Sequence, residues 1–263
     1  MARSGKAIEV AFFRETYYLY RRNLRVWMSQ PMGVIGPLAS AGFIFLLFGA
    51  PLSGIVGIQG FPTGDYNAFL TAMILVMTMV FSGSDMAMAV LTDILSGYFD
   101  KLLLAPINRF SILAGTLLVA GTRALAQVLV ILALASLLGV TFATGVAGIL
   151  IVIVAATVFG IAFSGLGIII ALKTKSTQVT MSTWLLFMPF AFLTTAFMPR
   201  ELLTGWFKVA VSVNPVDYVL VGIRAFIILG WEWDVILPGL WWLTGMTVVL
   251  MAIAGWLYRR VTV

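Results

Sequence analysis

The segment Ser96–Arg109, SGYFDKLLLAPINR, decides how this chain is read. It separates two long apolar runs, and it is too short and too charged to cross a bilayer itself. Tyr98, Leu102 and Leu103 fall on one side of a helical turn, and Asp100, Lys101 and later Arg109 on the other. Pro106 stops the turn, because proline has no N–H to donate and its ring clashes with the turn before it. A brief amphipathic helix joining two membrane helices is therefore expected over 96–106.

Composition agrees with that start. The chain has 263 residues, 62% of them hydrophobic and 10% charged, with a mean hydropathy of +1.09. A soluble domain is about half apolar and a quarter charged. An all-α polytopic membrane protein is expected, as a single transmembrane domain over 1–263. There is no cysteine and no histidine. No disulfide frame is possible, and the commonest general base, metal ligand and pH switch are missing. The first thirty residues hold no uninterrupted apolar core, so no secretory signal is expected. The net charge of +6 suits cations kept on the cytoplasmic side of a membrane better than nucleic-acid binding.

Outward toward the N-terminus, residues 6–29 carry Val10, Phe13, Tyr17, Tyr20, Leu24 and Trp27 at steps of three and four, with Arg14, Arg21 and Arg25 on another face. This pattern predicts a helix lying in the membrane interface. Anchoring alone explains it; packing on a cytoplasmic partner is the sharper possibility. Pro31 is expected to bend the chain into the bilayer.

Six spans of about 20 apolar residues each are expected near 32–50, 68–91, 111–138, 146–171, 179–198 and 236–258. Gly49 to Gly64 is rich in glycine and proline and forms an outer loop. Gly139 to Gly145 is a tight outer turn, and Lys173 to Ser176 a short inner one. With the N-terminus inside, Arg3, Lys6, Arg14, Arg21, Arg22, Arg25, Lys101, Arg109, Lys173, Lys175, Arg259 and Arg260 are all cytoplasmic. Outside lie Arg200, Lys208 and Arg224. An even span count puts both basic ends in the cytoplasm, as the positive-inside bias requires. The segment 199–235 is not plain loop: Leu202 to Val213 and Val216 to Leu229 are apolar at helical spacing, broken by Asn214-Pro215. It is expected to be an outer re-entrant hairpin packed on protein, because irregular backbone is not tolerated in lipid.

Charges at membrane depth are functional candidates. Asp85 lies toward the inner end of span two and Arg123 within span three. Their opposite charges and similar depth suggest that they approach each other, against the alternative of separate snorkelling. Arg224 sits in the outer hairpin. Ala156, Gly160 and Ser164 recur at steps of four, which suits close helix packing within one subunit or across a dimer seam. Met73, Met77, Met79, Met86 and Met88 suit core filling or an adaptable apolar substrate surface.

No G-x-x-x-x-G-K-[ST] phosphate loop, H-E-x-x-H site or mid-membrane aspartate pair is present, so the chain is not expected to be an enzyme. Secondary transport would rest on Asp85 alone.

Three stretches resemble the permease subunit of type-2 ABC exporters of the daunorubicin-resistance kind. Gly97, Tyr98, Phe99, Asp100, Lys101, Leu102, Leu103 and Pro106 are similar to that family's cytoplasmic loop, with Ala105 departing from its usual polar or leucine residue. Gly115 through Arg123 to Gln127 is similar to the start of its third span. Pro199, Trp206, Asn214, Pro215 and Arg224 resemble its outer hairpin and are the most specific of the three. The resemblance implies a plasma-membrane exporter of an apolar or amphipathic small molecule, drug or lipid. It implies two permease chains, as a homo- or hetero-dimer, with two copies of a separate nucleotide-binding ATPase. ATP and Mg would sit on that partner, and no cofactor on this chain. Residues 6–29 would be the connecting helix, 96–106 the coupling helix, and 199–235 the closure of the exit. Polysaccharide export is the nearest alternative. A secondary transporter or a membrane scaffold without an ATPase is the alternative of another class.

Overall fold

A computed structural model describes residues 5–49, 51–57 and 61–260; for residues 5–10, 31–34 and 37–38 it describes the backbone alone. Arg3 and Gly60, and the side chains of Lys6, Val10 and Pro31, therefore lie outside the described residues. The chain is all helical. In order come α1 (Gly5–Met28), α2 (Pro31–Ile44) with a π turn at Phe45–Gly49, α3 (Tyr66–Leu95), α4 (Tyr98–Leu104), α5 (Arg109–Leu137), α6 (Gly145–Thr174), α7 (Thr177–Met181), α8 (Thr183–Phe192), α9 (Gly205–Val213), α10 (Pro215–Arg224) with a π turn at Ala225–Leu229, and α11 (Trp233–Arg260).

Among the described residues, four helices are each long and apolar enough to cross a membrane: α3, α5, α6 and α11. The span expected at 179–198 is instead two short helices. The helical run breaks at Ser182, and α8 ends at Phe192 with Leu193 as its C-cap. The span expected at 32–50 is α2 with its π turn, and Pro31 opens it at the first helical turn.

The axis of the fold is α3, the most enclosed of the four long helices. Asp65 starts it, its carboxylate accepting the Asn67 N–H at 2.8 Å, as an N-cap should. Small residues let α6 lie directly on it. A Cβ at Gly167 would run into the Gly83 carbonyl oxygen, and one at Gly83 into the Phe163 carbonyl oxygen. The Gly160 site is closed by Met79 and by the Ala124 methyl, 2.9 Å from where its own Cβ would stand. Ala156, Gly160 and Ser164 are thus buried inside this chain. Around the contact, Phe159, Phe163 and Phe187 are fully buried, and Phe163 meets Phe187 edge-on at 5.5 Å. Most of the methionine row is core as well, Met73, Met77, Met79 and Met86 all being buried.

Backbone cannot repack as a side chain can. Gly167→Ala should therefore cost about 3 kcal/mol, the upper end for overpacking. Gly245→Ala on α11, where a Cβ meets nothing within 4 Å, should be neutral or better, since alanine favours a helix over glycine by up to about 1 kcal/mol. Thermal unfolding in detergent distinguishes the two.

Candidate functional site

Polar side chains collect at the two ends of α3. Phe69 and Asp93 are 24 residues apart, about 36 Å at the helical rise of 1.5 Å per residue. That exceeds the roughly 30 Å of a bilayer's hydrocarbon core.

At one end is the loop from which the sequence was read. Gly97 closes α3 at φ 70, a left-handed conformation that favours glycine. The loop's deepest anchor is Phe99, 5% exposed and edge-on to Tyr258 of α11 at 6.0 Å. Tyr98, Leu102 and Leu103 are half-buried, while Asp100, Lys101, Leu104 and Pro106 are exposed, Leu104 at 87%.

Helix α1 grips this loop at both ends. Gly115 lets it settle onto α5, because a Cβ there would lie 2.8 Å from the Leu19 Cβ. Tyr20 and Thr122 share a hydrogen bond of 3.1 Å. Before the loop, the Arg22 guanidinium donates to Asp93 Oδ2 at 2.7 Å and lies 3.9 Å from the centre of the Tyr98 ring. Burial alone would lower the Arg22 pKa, but the hydrogen bond and charge of Asp93 outweigh it and hold the pKa above its ordinary value. After the loop, Glu15 accepts the Asn108 N–H at 2.9 Å and the Ser111 hydroxyl at 3.0 Å. Asn108 in turn caps α5 by accepting the Phe110 N–H. Glu15, Arg22 and Asp93 were not singled out from the sequence. The available signal was Arg22 standing one residue off the face shared by Arg14, Arg21 and Arg25, all of which are exposed.

Above this grip, α1, α3 and α5 enclose a cavity of about 450 Å³. Asp85 and Arg123 both line it, with their charged groups 3.7 Å apart. The Arg123 side chain is 13% exposed and that of Asp85 51%, and the Arg123 guanidinium lies 5.6 Å from the centre of the Trp27 ring.

At the other end of α3, α8 stops and the chain runs irregularly to the 3-10 turn Arg200–Leu202 that follows Pro199. The α9–α10 unit, bent by 84° at Asn214-Pro215, supplies the polar partners that this stretch needs. The Asn214 amide donates to the Phe190 and Leu193 carbonyls at 2.9 and 2.7 Å, and its oxygen caps α10 by accepting the Val216 N–H. Pro215 opens α10, where its missing donor costs nothing. The Asp217 carboxylate accepts the Thr195 N–H and hydroxyl at 2.6 and 2.7 Å. Arg224 donates to the Thr195 and Ala196 carbonyls at 2.9 and 3.3 Å, with its guanidinium 3.6 Å from the centre of the Phe69 ring of α3. The turn before α6 joins in: the Thr144 hydroxyl donates to the Phe226 carbonyl at 2.7 Å, and the Ala143 N–H to that of Ile227 at 2.9 Å. Asn214, Pro215 and Arg224 thus meet in one buried knot with Asp217 and Thr195. Trp206 is outside it, 74% exposed.

The arrangement holds a short exposed helix rigidly at one end of the bundle and a polar knot at the other, joined by α3. A family model described as ABC-2 type transporter matches residues 14–228. The probable doxorubicin resistance ABC transporter permease protein DrrC of Mycobacterium tuberculosis is 24% identical over 249 residues, covering 95% of this chain and 90% of that protein. The putative transport permease ycf38 of Cyanophora paradoxa is 22% identical over 224 residues, covering 84% of this chain and 77% of that one.

Proposed function

The chain belongs to the ABC-2 type transporter family, the membrane permeases that work with a separate ATP-binding subunit, and from that premise we propose that it exports an amphipathic or apolar small molecule across the plasma membrane. Hydrolysis belongs to the partner, which carries ATP and Mg; this chain supplies the path and the moving parts. The cargo class takes its support from the name of the Mycobacterium tuberculosis relative, a doxorubicin resistance permease.

The observation that carries the proposal is the exposed surface of α4. Phe99 roots the loop and α1 clamps its two ends, while Asp100, Lys101 and Leu104 are exposed among the described residues. A surface held so firmly can pass a push onward instead of absorbing it. The coupling helix is then 96–106 and the connecting helix α1. The Lys and Arg bias places α4 and both termini in the cytoplasm. In this reading α2 and the α7–α8 pair complete six spans, and α9–α10 is a re-entrant hairpin over the exit. Two such chains, identical or not, work with two copies of the ATPase. ATP-driven closure moves the spans only by favouring one of two arrangements, and α3 is the rod that links α4 to the knot at Phe69.

Purification of the native complex tests this. An ATP-binding subunit should accompany the wild-type chain. Leu104→Asp, which alters an exposed side chain and leaves the fold alone, should reduce the recovered subunit by about tenfold or more, the effect of losing one interface anchor. Recovery equal to wild type would overturn the role given to α4.

A further inference from the structure

We propose that the cavity between α1, α3 and α5 is a binding site for an amphiphile with a positively charged head, and that Asp85 is the counter-ion. The assignment deepens the transport reading and rests on it for the fate of the ligand, though not for its binding.

Size and wall chemistry come first. A volume of about 450 Å³ falls within the roughly 300–1,000 Å³ of small-molecule sites. The α3 wall carries Met86 and Met88, and the α5 wall Val119. Unbranched thioether chains adapt to different apolar bodies.

The sign of the ligand follows from access. Two arginines and two aspartates line the cavity, so their count alone selects neither sign. Arg22 is committed to Asp93 by a short hydrogen bond and to the Tyr98 ring. Arg123 is mostly covered, between Asp85 and Trp27. Asp85 differs from both. Half of its side chain is open, and its 3.7 Å approach to Arg123 is longer than the 2.7–3.2 Å typical of a hydrogen bond. A ligand ammonium can therefore reach the carboxylate without breaking a tight pair, whereas an anion would have to displace Asp85 to reach Arg123. The apolar body of the ligand then lies along the methionine wall. Such a ligand has two possible sources, a free cationic amphiphile or the amine head of a membrane lipid.

The chain contains no cysteine, so one introduced thiol is a clean reporter. Ala89 lines the cavity and is exposed. The experiment follows maleimide labelling of Ala89→Cys in the full chain, held in dodecyl maltoside, a detergent whose head carries no cation. Rhodamine 6G, a planar cation, should slow labelling in a saturable way, and fluorescein, an anion on a similar ring system, should not. Adding Asp85→Asn, which keeps the shape and removes the charge, should raise the rhodamine concentration needed by about tenfold, the scale for losing one charge-assisted contact. If a lipid amine is the natural occupant, phosphatidylethanolamine added to the detergent should already protect the thiol before rhodamine is added. If a free amphiphile is, it should not; either result supports the site. The proposal is overturned if rhodamine gives no protection, if fluorescein protects equally, or if Asp85→Asn leaves protection unchanged. No ATP-binding subunit takes part, so these failures are separate from failure of the co-purification test.

Discussion

An Arg224→Leu chain should lose most of its folded yield and melt far below wild type. Arg224 is 7% exposed and donates to two carbonyls in the irregular stretch after α8. Leucine has no donor, so the Thr195 and Ala196 carbonyls would be left unpaired, and Asp217 would lose the arginine of its knot. Leaving buried carbonyls without a donor costs about 1–3 kcal/mol each, against a typical total stability of about 5–15 kcal/mol. Arg224→Lys should fall between the two, because it keeps the charge but not the planar fork that reaches two acceptors and lies against a ring. Fluorescence-detected gel filtration followed by a melting curve in detergent reads the series. A leucine variant that melts within a few degrees of wild type would remove the knot from any account of how the α8 end is held.

The same knot divides what the sequence makes legible from what it conceals. Asn214-Pro215 is readable because its effect is local: one residue caps the helix that the other opens. Arg224 is readable because a charge within an apolar run stands out. Their partners are not, since Thr195, Ala196 and Phe69 are ordinary residues whose role arises only when three distant segments meet. Long apolar runs fix α3, α5, α6 and α11 to within a few residues of their expected bounds. The run at 179–198 has the same composition, and hydropathy does not register the break at Ser182 or the end of α8 at Phe192. On α1, the exposed face with Arg14, Arg21 and Arg25 follows from periodicity. The inward residues Glu15 and Arg22 do not, because what distinguishes them is the position of Asn108, Ser111 and Asp93 in space. The cavity is concealed for a related reason: Asp85 and Arg123 each stand out alone, but the room beside them depends on how α1 lies across α3 and α5.

Arg22→Glu should leave the ATP-binding subunit docked and hydrolysing, yet disconnect it from the far end of the bundle. The docking surface at Asp100, Lys101 and Leu104 is untouched by this change. What changes is the grip, since Arg22 ties α1 to α3 through Asp93 and to α4 through the Tyr98 ring. A glutamate there faces Asp93 with like charge and has no cation for the ring. Losing one member of such a partly buried pair costs about 2 kcal/mol at the low end of measured cases. A two-state equilibrium moves about tenfold for each 1.4 kcal/mol. With the clamp made in the ATP-driven arrangement and lost in the other, the equilibrium constant between them should therefore fall by about thirtyfold. The absence of cysteine again supplies the measurement, with a spin label on Trp206→Cys, an exposed position in α9. In a complex holding two copies of this chain, ATP should shift the distance between their labels with Arg22 in place. It should barely do so in the Arg22→Glu complex. Exchanging the charges, Arg22→Asp with Asp93→Arg, should restore much of the response, because the pair re-forms with its polarity reversed. A full ATP response in the single variant would mean that force reaches the outer knot without passing through the α1 clamp, by Phe99 and Tyr258 into α11 instead.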